Sequence, residues 1–244
     1  AASIGPDLVL DAEKAFQAVV LNLYGQTEMA SMVTVVRRDQ SPADKVYSVG
    51  RALDHLELAI VDPISQQVLP RGEPGEILAR GYQAFLGYFN DPVATAAAVT
   101  HDGWVRTGDL GRMDGSGTIT ITGRLKEIVI RGGENISPTE IEEALKTHPA
   151  IIQAVALGVH DRRLGEAVAA VIRPTSDADH SVLLTQLHAH LEQRLAHYKI
   201  PQRWYTTSDF PLTATGKVQR FKLRASIEAG QLQRLDEKTE HPNN

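Results

Sequence analysis

Short alternating runs of apolar and polar residues fill the first half of the chain, and longer strand-like and helix-like runs fill the second. Residues 13–16 read as the end of a helix. The apolar run Ala18-Val19-Val20-Leu21-Asn22-Leu23 predicts a short buried strand, followed at once by Tyr24-Gly25-Gln26-Thr27-Glu28. Further on, residues 56–63 predict a strand closing on a turn, 71–75 a second turn, and 76–81 a second strand. Leu86-Gly87-Tyr88-Phe89-Asn90-Asp91-Pro92 reads as packing and turn residues. After a hairpin turn at Asp114-Gly115, the isoleucines of Thr118-Ile119-Thr120-Ile121-Thr122 share one face, the period of two of a half-buried strand. Short strands at this spacing predict a β-rich region from about residue 48, barrel-like or strongly bent.

The pattern breaks at Gly123-Arg124-Leu125-Lys126, and residues 127–131 begin another strand. Gly132-Gly133 frees the backbone for a tight loop. Ser137-Pro138-Thr139-Glu140 opens a helix: Ser137 is placed as N-cap, Pro138 stands at the first helical position, and Glu140 completes a capping box. Ile141, Ala144 and Leu145 come next at helical spacing, up to a stop at His148-Pro149. Residues 151–159 and 166–172 predict two strands around a loop at 161–165. Leu183, Leu184, Leu187, Leu191 and Leu195 then make one face of a long helix. Trp204-Tyr205 starts the last short strand. The charged tetrapeptide between the two patterns reads as a joint between domains, and the residues after it as a compact α+β domain of roughly a hundred residues. Residues 229–244 are polar and read as a disordered tail.

A chain of 244 residues can bury a real core in one or two domains, and its 42% hydrophobic and 23% charged content is ordinary for a soluble protein. A net charge of −5 argues against a nucleic-acid surface. The absence of cysteine excludes disulfides, thiolate metal sites and cysteine nucleophiles. With no long apolar run and no signal peptide, the expectation is a cytoplasmic protein without a membrane span. His188 and His190 stand two apart on a predicted helix and point to different faces, so they do not form a metal site; His160 is given no catalytic role.

Five motifs in order carry a resemblance: Tyr24-Gly25-Gln26-Thr27-Glu28, Arg106-Thr107-Gly108-Asp109, Gly123-Arg124-Leu125-Lys126-Glu127, Gly133 with Pro138 to Glu142, and Pro211-Leu212-Thr213-Ala214-Thr215-Gly216-Lys217. Together they resemble the adenylate-forming ligase superfamily, which includes AMP-forming acyl-CoA synthetases, luciferases and the adenylation domains of peptide synthetases. The resemblance implies a mixed α/β fold: residues 1–124 as the end of a large N-terminal AMP-binding domain with its β-rich subdomain, 125–127 as a hinge, and 128–228 as a small mobile α+β C-terminal domain.

It also implies roles. Tyr24, Gly25, Gln26 and Thr27 bind nucleotide, with Thr27 on the AMP phosphate, and Glu28 helps to hold Mg2+, which takes carboxylate and phosphate oxygens. Asp109 accepts from the ribose hydroxyls, and Arg124 donates to the ribose or phosphate edge. Lys217, with Thr27 and Glu28, is catalytic: its ammonium bridges the substrate carboxylate and the nucleotide. Lys126 is the hinge position, and Gly132 and Gly133 line a channel for CoA. The implied substrates are a small carboxylic acid, ATP and CoA, in fatty or aromatic acid metabolism. The hinge lysine and the Gly132-Gly133-Glu134-Asn135-Ile136 loop look more like acyl-CoA synthetases than peptide synthetases.

One departure stands out. The family's Ser/Thr/Gly-rich phosphate loop is absent, as is most of the large domain, so the match covers only the second half of the family. The expectation is a chain that needs a missing N-terminal half, exposes apolar surface and edge strands where it is cut, and does not adenylate alone. Two alternatives stay open: a peptide-synthetase domain loading a carrier-protein thiol, and a non-catalytic AMP-binding fragment. Retention of Lys217 weighs against the latter. The acyl substrate is not legible, and an oligomer is compatible with the sequence.

Overall fold

The computed structural model describes residues 6–175, 180–214 and 216–236. Two compact units divide at Leu125 and Lys126.

In the first unit, α1 (Pro6–Phe16) precedes β1 (Leu23–Tyr24) and β2 (Thr34–Val35); α2 (Pro42–Tyr47) and β3 (Arg51–Ala52) complete a three-stranded antiparallel sheet, β1-β2-β3. Ser41 caps α2, its side chain accepting from the Asp44 N–H, with Pro42 at the first position. β4 (Leu56–Val61), β5 (Gly75–Gly81), β6 (Val105–Met113) and β7 (Ile119–Arg124) form an antiparallel meander, with α3 (Pro92–Ala98) between β5 and β6. The β6–β7 turn is held by Asp114, whose Oδ1 accepts from the N–H groups of Ser116 and Thr118 at 2.8 and 2.9 Å. Ile60, Ile77, Ala79, Val105, Met113 and Ile119 pack with Tyr24 and Met29 in one core.

The second unit holds β8 (Val129–Arg131), β9 (Glu134–Ile136), α4 (Pro138–Lys146), β10 (Ile151–Asp161), β11 (Gly165–Pro174), α5 (His180–Glu192), β12 (Arg203–Thr206), α6 (Arg220–Glu228) and β13 (Gln233–Arg234). β10 and β11 pair antiparallel along nearly their whole length, and β12 runs parallel to β11. Alternate residues of β10 and β11 feed two cores. Ala154, Ala156, Val168 and Ala170 face Ile141 and Leu145 of α4 and Leu183, Leu187 and Leu191 of α5; Val155, Leu157, Ala169 and Val171 face Phe210 and Leu223. A strand covered on both faces needs apolar residues at consecutive positions, which is what Ala154 to Val159 supply.

Several expectations are corrected. The β-rich region is an open four-stranded sheet, not a closed barrel. The run at 18–23 contributes only Leu23 to β1, an edge strand of its sheet, and Val19, Leu21 and Leu23 are exposed. In the 86–92 block the packing assignment fails: Phe89 is 93% exposed and Leu86 fully so. The capping box at α4 does not form, because Ser137 makes no side-chain capping bond and the Glu140 carboxylate is taken by the Lys199 ammonium at 2.7 Å. Trp204-Tyr205 is not in the last strand: Gln233–Arg234 pairs with β12 and Leu235 is buried. The expected tail is therefore ordered over 229–236, while residues 237–244 lie outside the described residues. No helix among the described residues is long and apolar enough to cross a membrane.

Candidate functional site

In the first unit the site is built where β1 ends and where β6 and β7 pair. Asp109 and Arg124 stand directly opposite one another in the β6–β7 register, so their side chains meet on one face. The Arg124 Nε donates to Asp109 Oδ1 at 2.7 Å, and the Tyr24 hydroxyl donates to Oδ2 at 2.8 Å. Asp109 is 3% exposed, and a polar side chain so buried needs hydrogen-bond partners of this kind. Burial first, and then the neighbouring Asp109 charge, raise the Tyr24 phenol well above its ordinary value, so Tyr24 stays a donor. Ionised carboxylate oxygens offer about four acceptor sites; Tyr24 and Arg124 take one on each oxygen, leaving capacity for a pair of ligand hydroxyls. Thr107 fixes the approach, its hydroxyl donating to the Ile77 carbonyl at 2.7 Å and accepting the Asp109 N–H at 3.1 Å.

The segment after β1 turns sharply. A Cβ at Gly25 would lie 1.8 Å from the Ser31 carbonyl oxygen, so the chain can pass there only as glycine. Gln26 precedes a 3-10 turn, Thr27–Met29; its Nε2 is buried with no acceptor among the described residues, and an orphan donor of this kind calls for an explanation. Thr27 is exposed. Glu28 Oε1 accepts from the Tyr88 hydroxyl at 2.8 Å, a bond that raises the Tyr88 phenol above its ordinary value. Tyr88, missed as a site residue, belongs to the block whose other large apolar side chains stay exposed.

In the second unit, Lys126 lies in a 3-10 turn, Leu125–Glu127, at the boundary. Gly132 and Gly133 form the β8–β9 turn with φ of +59° and +92°, the two left-handed residues of a tight hairpin. Lys217 is exposed on a loop closed by the Leu212–Val218 bridge, and its N–H donates to Thr213 Oγ1 at 3.1 Å. Thr215 of the same motif lies outside the described residues. Three residues after Lys217, Arg220 binds three partners: Glu127 Oε2 at 3.0 Å, the Glu142 carboxylate with Nη2–Oε2 at 3.0 Å, and the Ala156 carbonyl at 2.9 Å. This arginine ties the segment after Lys126 to α4 and to the helix next to the Lys217 loop. Its signal in the sequence was modest: an arginine just past the motif lysine, and glutamates inside two other motifs. The histidines are structural neighbours: His188 lies against the Trp204 ring and His190 against Thr147.

Two family models match the chain, the AMP-binding enzyme model over residues 1–89 and the AMP-binding enzyme C-terminal domain model over residues 140–217. The chain belongs to the AMP-binding enzyme family. Within it, the chain is 46% identical over 201 residues to YngI of Bacillus subtilis (strain 168), whose name assigns it by inference to the acyl-CoA synthetases; the match covers 82% of this chain and 36% of that protein. It is 40% identical over 205 residues to the mitochondrial medium-chain acyl-CoA ligase ACSF2 of Danio rerio, covering 84% of this chain and 34% of the relative. Among solved AMP-binding enzymes, ATP-bound MatB from Rhodopseudomonas palustris superposes with a TM-score of 0.84 at 32% identity, over 95% of this chain and 45% of MatB. The chain thus spans about a third of the length of the curated relatives it matches.

Proposed function

We propose that this chain works as part of an AMP-forming acyl-CoA ligase, which adenylates a carboxylic acid and then passes the acyl group to the thiol of CoA. The observation that carries the reading is the Asp109 carboxylate, buried between Tyr24 and Arg124 with acceptor capacity left for two hydroxyls. A ribose presents two adjacent hydroxyls, and an acidic side chain is a usual acceptor for such groups. Arg124, about half exposed, has donors to reach the phosphate side of the same nucleotide. The orphan Nε2 of Gln26 and the hydroxyl of Thr27 lie next along the chain, where a phosphate oxygen would satisfy them. In the first half-reaction a carboxylate oxygen of the acid bonds to the α-phosphorus of ATP, and the bond to pyrophosphate breaks. Lys217 neutralises charge on the entering carboxylate and the phosphate. In the second, the thiol sulfur bonds to the acyl carbon, AMP leaves with the bonding pair, and the thiol proton is lost.

The donor set around Glu28 suits Mg2+, a hard cation that prefers oxygen: a carboxylate with one oxygen bonded to Tyr88 and the other available. Bound there, the ion would offset negative charge on the phosphates. Glu28, the Thr27 hydroxyl and the Tyr88 hydroxyl are the groups this chain contributes. Lys126 is read as the pivot between the half-reactions, since a hinge needs only a few residues that absorb a backbone rotation. The glycine turn Gly132-Gly133 offers backbone without side chains, which suits the passage of a thin thiol arm. Similarity to proteins named acyl-CoA ligase supports CoA as the acceptor, as does the lysine at the hinge position. Because the chain spans about a third of these relatives, adenylation is assigned to it jointly with an N-terminal part, and the chain alone is expected to be inactive.

Calorimetric titration of the 244-residue chain with AMP tests the nucleotide site. Binding is expected, with Asp109→Ala weakening it at least about tenfold, the value of one strong charged hydrogen bond. Equal binding by the variant would remove Asp109 from the site.

A further inference from the structure

The turn that follows β1 is strained, and a side chain outside it holds the strain in place. Ala30 and Ser31 lie consecutively in the left-handed region, with φ of +48° and +78°, a conformation in which a side chain crowds its own backbone. Backbone of this kind persists only where its surroundings over-determine it. Within the turn, the Gln26 carbonyl accepts from the Met29 and Ser31 N–H groups, both at 3.0 Å, and the Ala30 N–H donates to the Thr27 carbonyl at 3.1 Å. Gln83, on the segment after β5, acts from outside. Its Nε2 donates to the Met29 carbonyl at 2.9 Å and also to the Met32 carbonyl. Carbonyls only accept, so the amide nitrogen is the end that faces them. The two acceptors flank Ala30 and Ser31 in sequence, and one amide thereby staples the chain across the strained pair. The same segment grips Glu28 as well, the Phe85 N–H donating to its main-chain carbonyl at 2.8 Å.

What the turn carries gives this staple a use. The Ser31 carbonyl oxygen sits where a Cβ on Gly25 would come within 1.8 Å of it, so any movement of the strained pair reaches the backbone of Gly25 and Gln26 directly. Gln26 brings the buried Nε2 that has no acceptor among the described residues, and the Thr27 hydroxyl follows it. The Asp109 carboxylate is held separately, by Tyr24 and Arg124, with the Asp109 N–H on Thr107. We propose that Gln83 is a positioning residue for the phosphate side of the nucleotide site: by pinning Ala30 and Ser31 it fixes Gln26 and Thr27 where phosphate oxygens meet them. The role rests on the nucleotide reading of this unit, whereas the staple rests on the bonds of Gln83 alone. No motif of the sequence marks Gln83, since its two acceptors stand 54 and 51 positions away.

The test compares the 244-residue chain with Gln83→Met, which keeps the length of the side chain and removes its donors. Gln83 is half-buried on a loop, so the variant is expected to keep the fold, which far-UV circular dichroism checks. Hydrogen exchange of the Ala30 and Ser31 amides is expected to quicken about fivefold or more in the variant, as the turn opens more often. Calorimetry with two probes then reads the consequence. AMP is expected to bind about fivefold or more weakly to Gln83→Met, while adenosine, which has the ribose and no phosphate, changes by less than about twofold. A general loss of structure would weaken both probes alike. Unchanged exchange at Ala30 and Ser31 overturns the staple. Two further failures are distinguishable. Wild-type chain that binds neither probe removes the nucleotide reading, and the positioning role with it. Wild-type binding with the same AMP-to-adenosine preference in Gln83→Met leaves that reading standing and overturns the role of Gln83 alone.

Discussion

Asp109 is nearly closed off from solvent, and the two neighbours that cover it also donate to it. Arg220 solves the converse problem. Burial alone would pull its guanidinium down, but the bonds and charges of Glu142 and Glu127 more than offset this, and it is raised above its ordinary value. Glu142 in turn accepts the Ala156 N–H at 2.7 Å, so removing the arginine leaves a buried carboxylate with one main-chain donor. Arg220→Ala is therefore expected to destabilise the second unit by about 3 kcal/mol, the usual cost of breaking a buried pair from one side. Urea denaturation of the chain measures it, and an unchanged midpoint would show that the pair is solvated. Asp109 was legible from its motif. The Tyr24 and Arg220 contacts were not, because side chains 85 and 78 positions apart in sequence meet only once the sheets exist.

At the scale of elements, β10 and β11 were readable because a strand buried on both faces leaves an unbroken apolar run. The same rule misled at 18–23, where an apolar run supplies only Leu23 to a strand and Val19, Leu21 and Leu23 stay exposed. The α4 capping box failed for another reason: Glu140 had a local partner on offer and took Lys199, 59 positions away, instead. β13 was lost in a polar tail because its anchor is one residue, Asp236, whose Oδ1 accepts the Trp204 N–H at 2.9 Å. Burial raises the Asp236 carboxyl, but the Arg234 bonds and the Trp204 N–H outweigh it, so it sits below its ordinary value of 3.8. A carboxyl lowered by folding contributes stability that is present above its unfolded value and lost as pH falls through the folded one. Exchange of the Leu235 amide, which donates to the Trp204 carbonyl at 2.8 Å, is expected to lose protection at pH values below about 3.8. In Asp236→Asn that pH dependence is expected to vanish; a retained acid transition would place the anchor elsewhere.

For the whole molecule, two compact units divide at Leu125 and Lys126, and each carries candidate residues of its own. The first offers the Tyr24–Asp109–Arg124 cluster with Thr27 and Glu28; the second offers Lys217 and the glycine turn. The ordered motifs made the family readable, while nothing in them names the acid substrate. If this chain supplies the catalytic lysine of an adenylating ligase, Lys217 must matter to adenylation itself. Carboxylate-dependent exchange of pyrophosphate into ATP reads that step, measured on this chain fused behind the N-terminal part of MatB from Rhodopseudomonas palustris, across a panel of carboxylic acids. Exchange is expected in the fusion, none in the 244-residue chain alone, and a loss of about a hundredfold or more in Lys217→Ala, the scale of removing one charge-stabilising group. Exchange by the chain alone, or a Lys217→Ala fusion as active as its parent, would contradict the assignment.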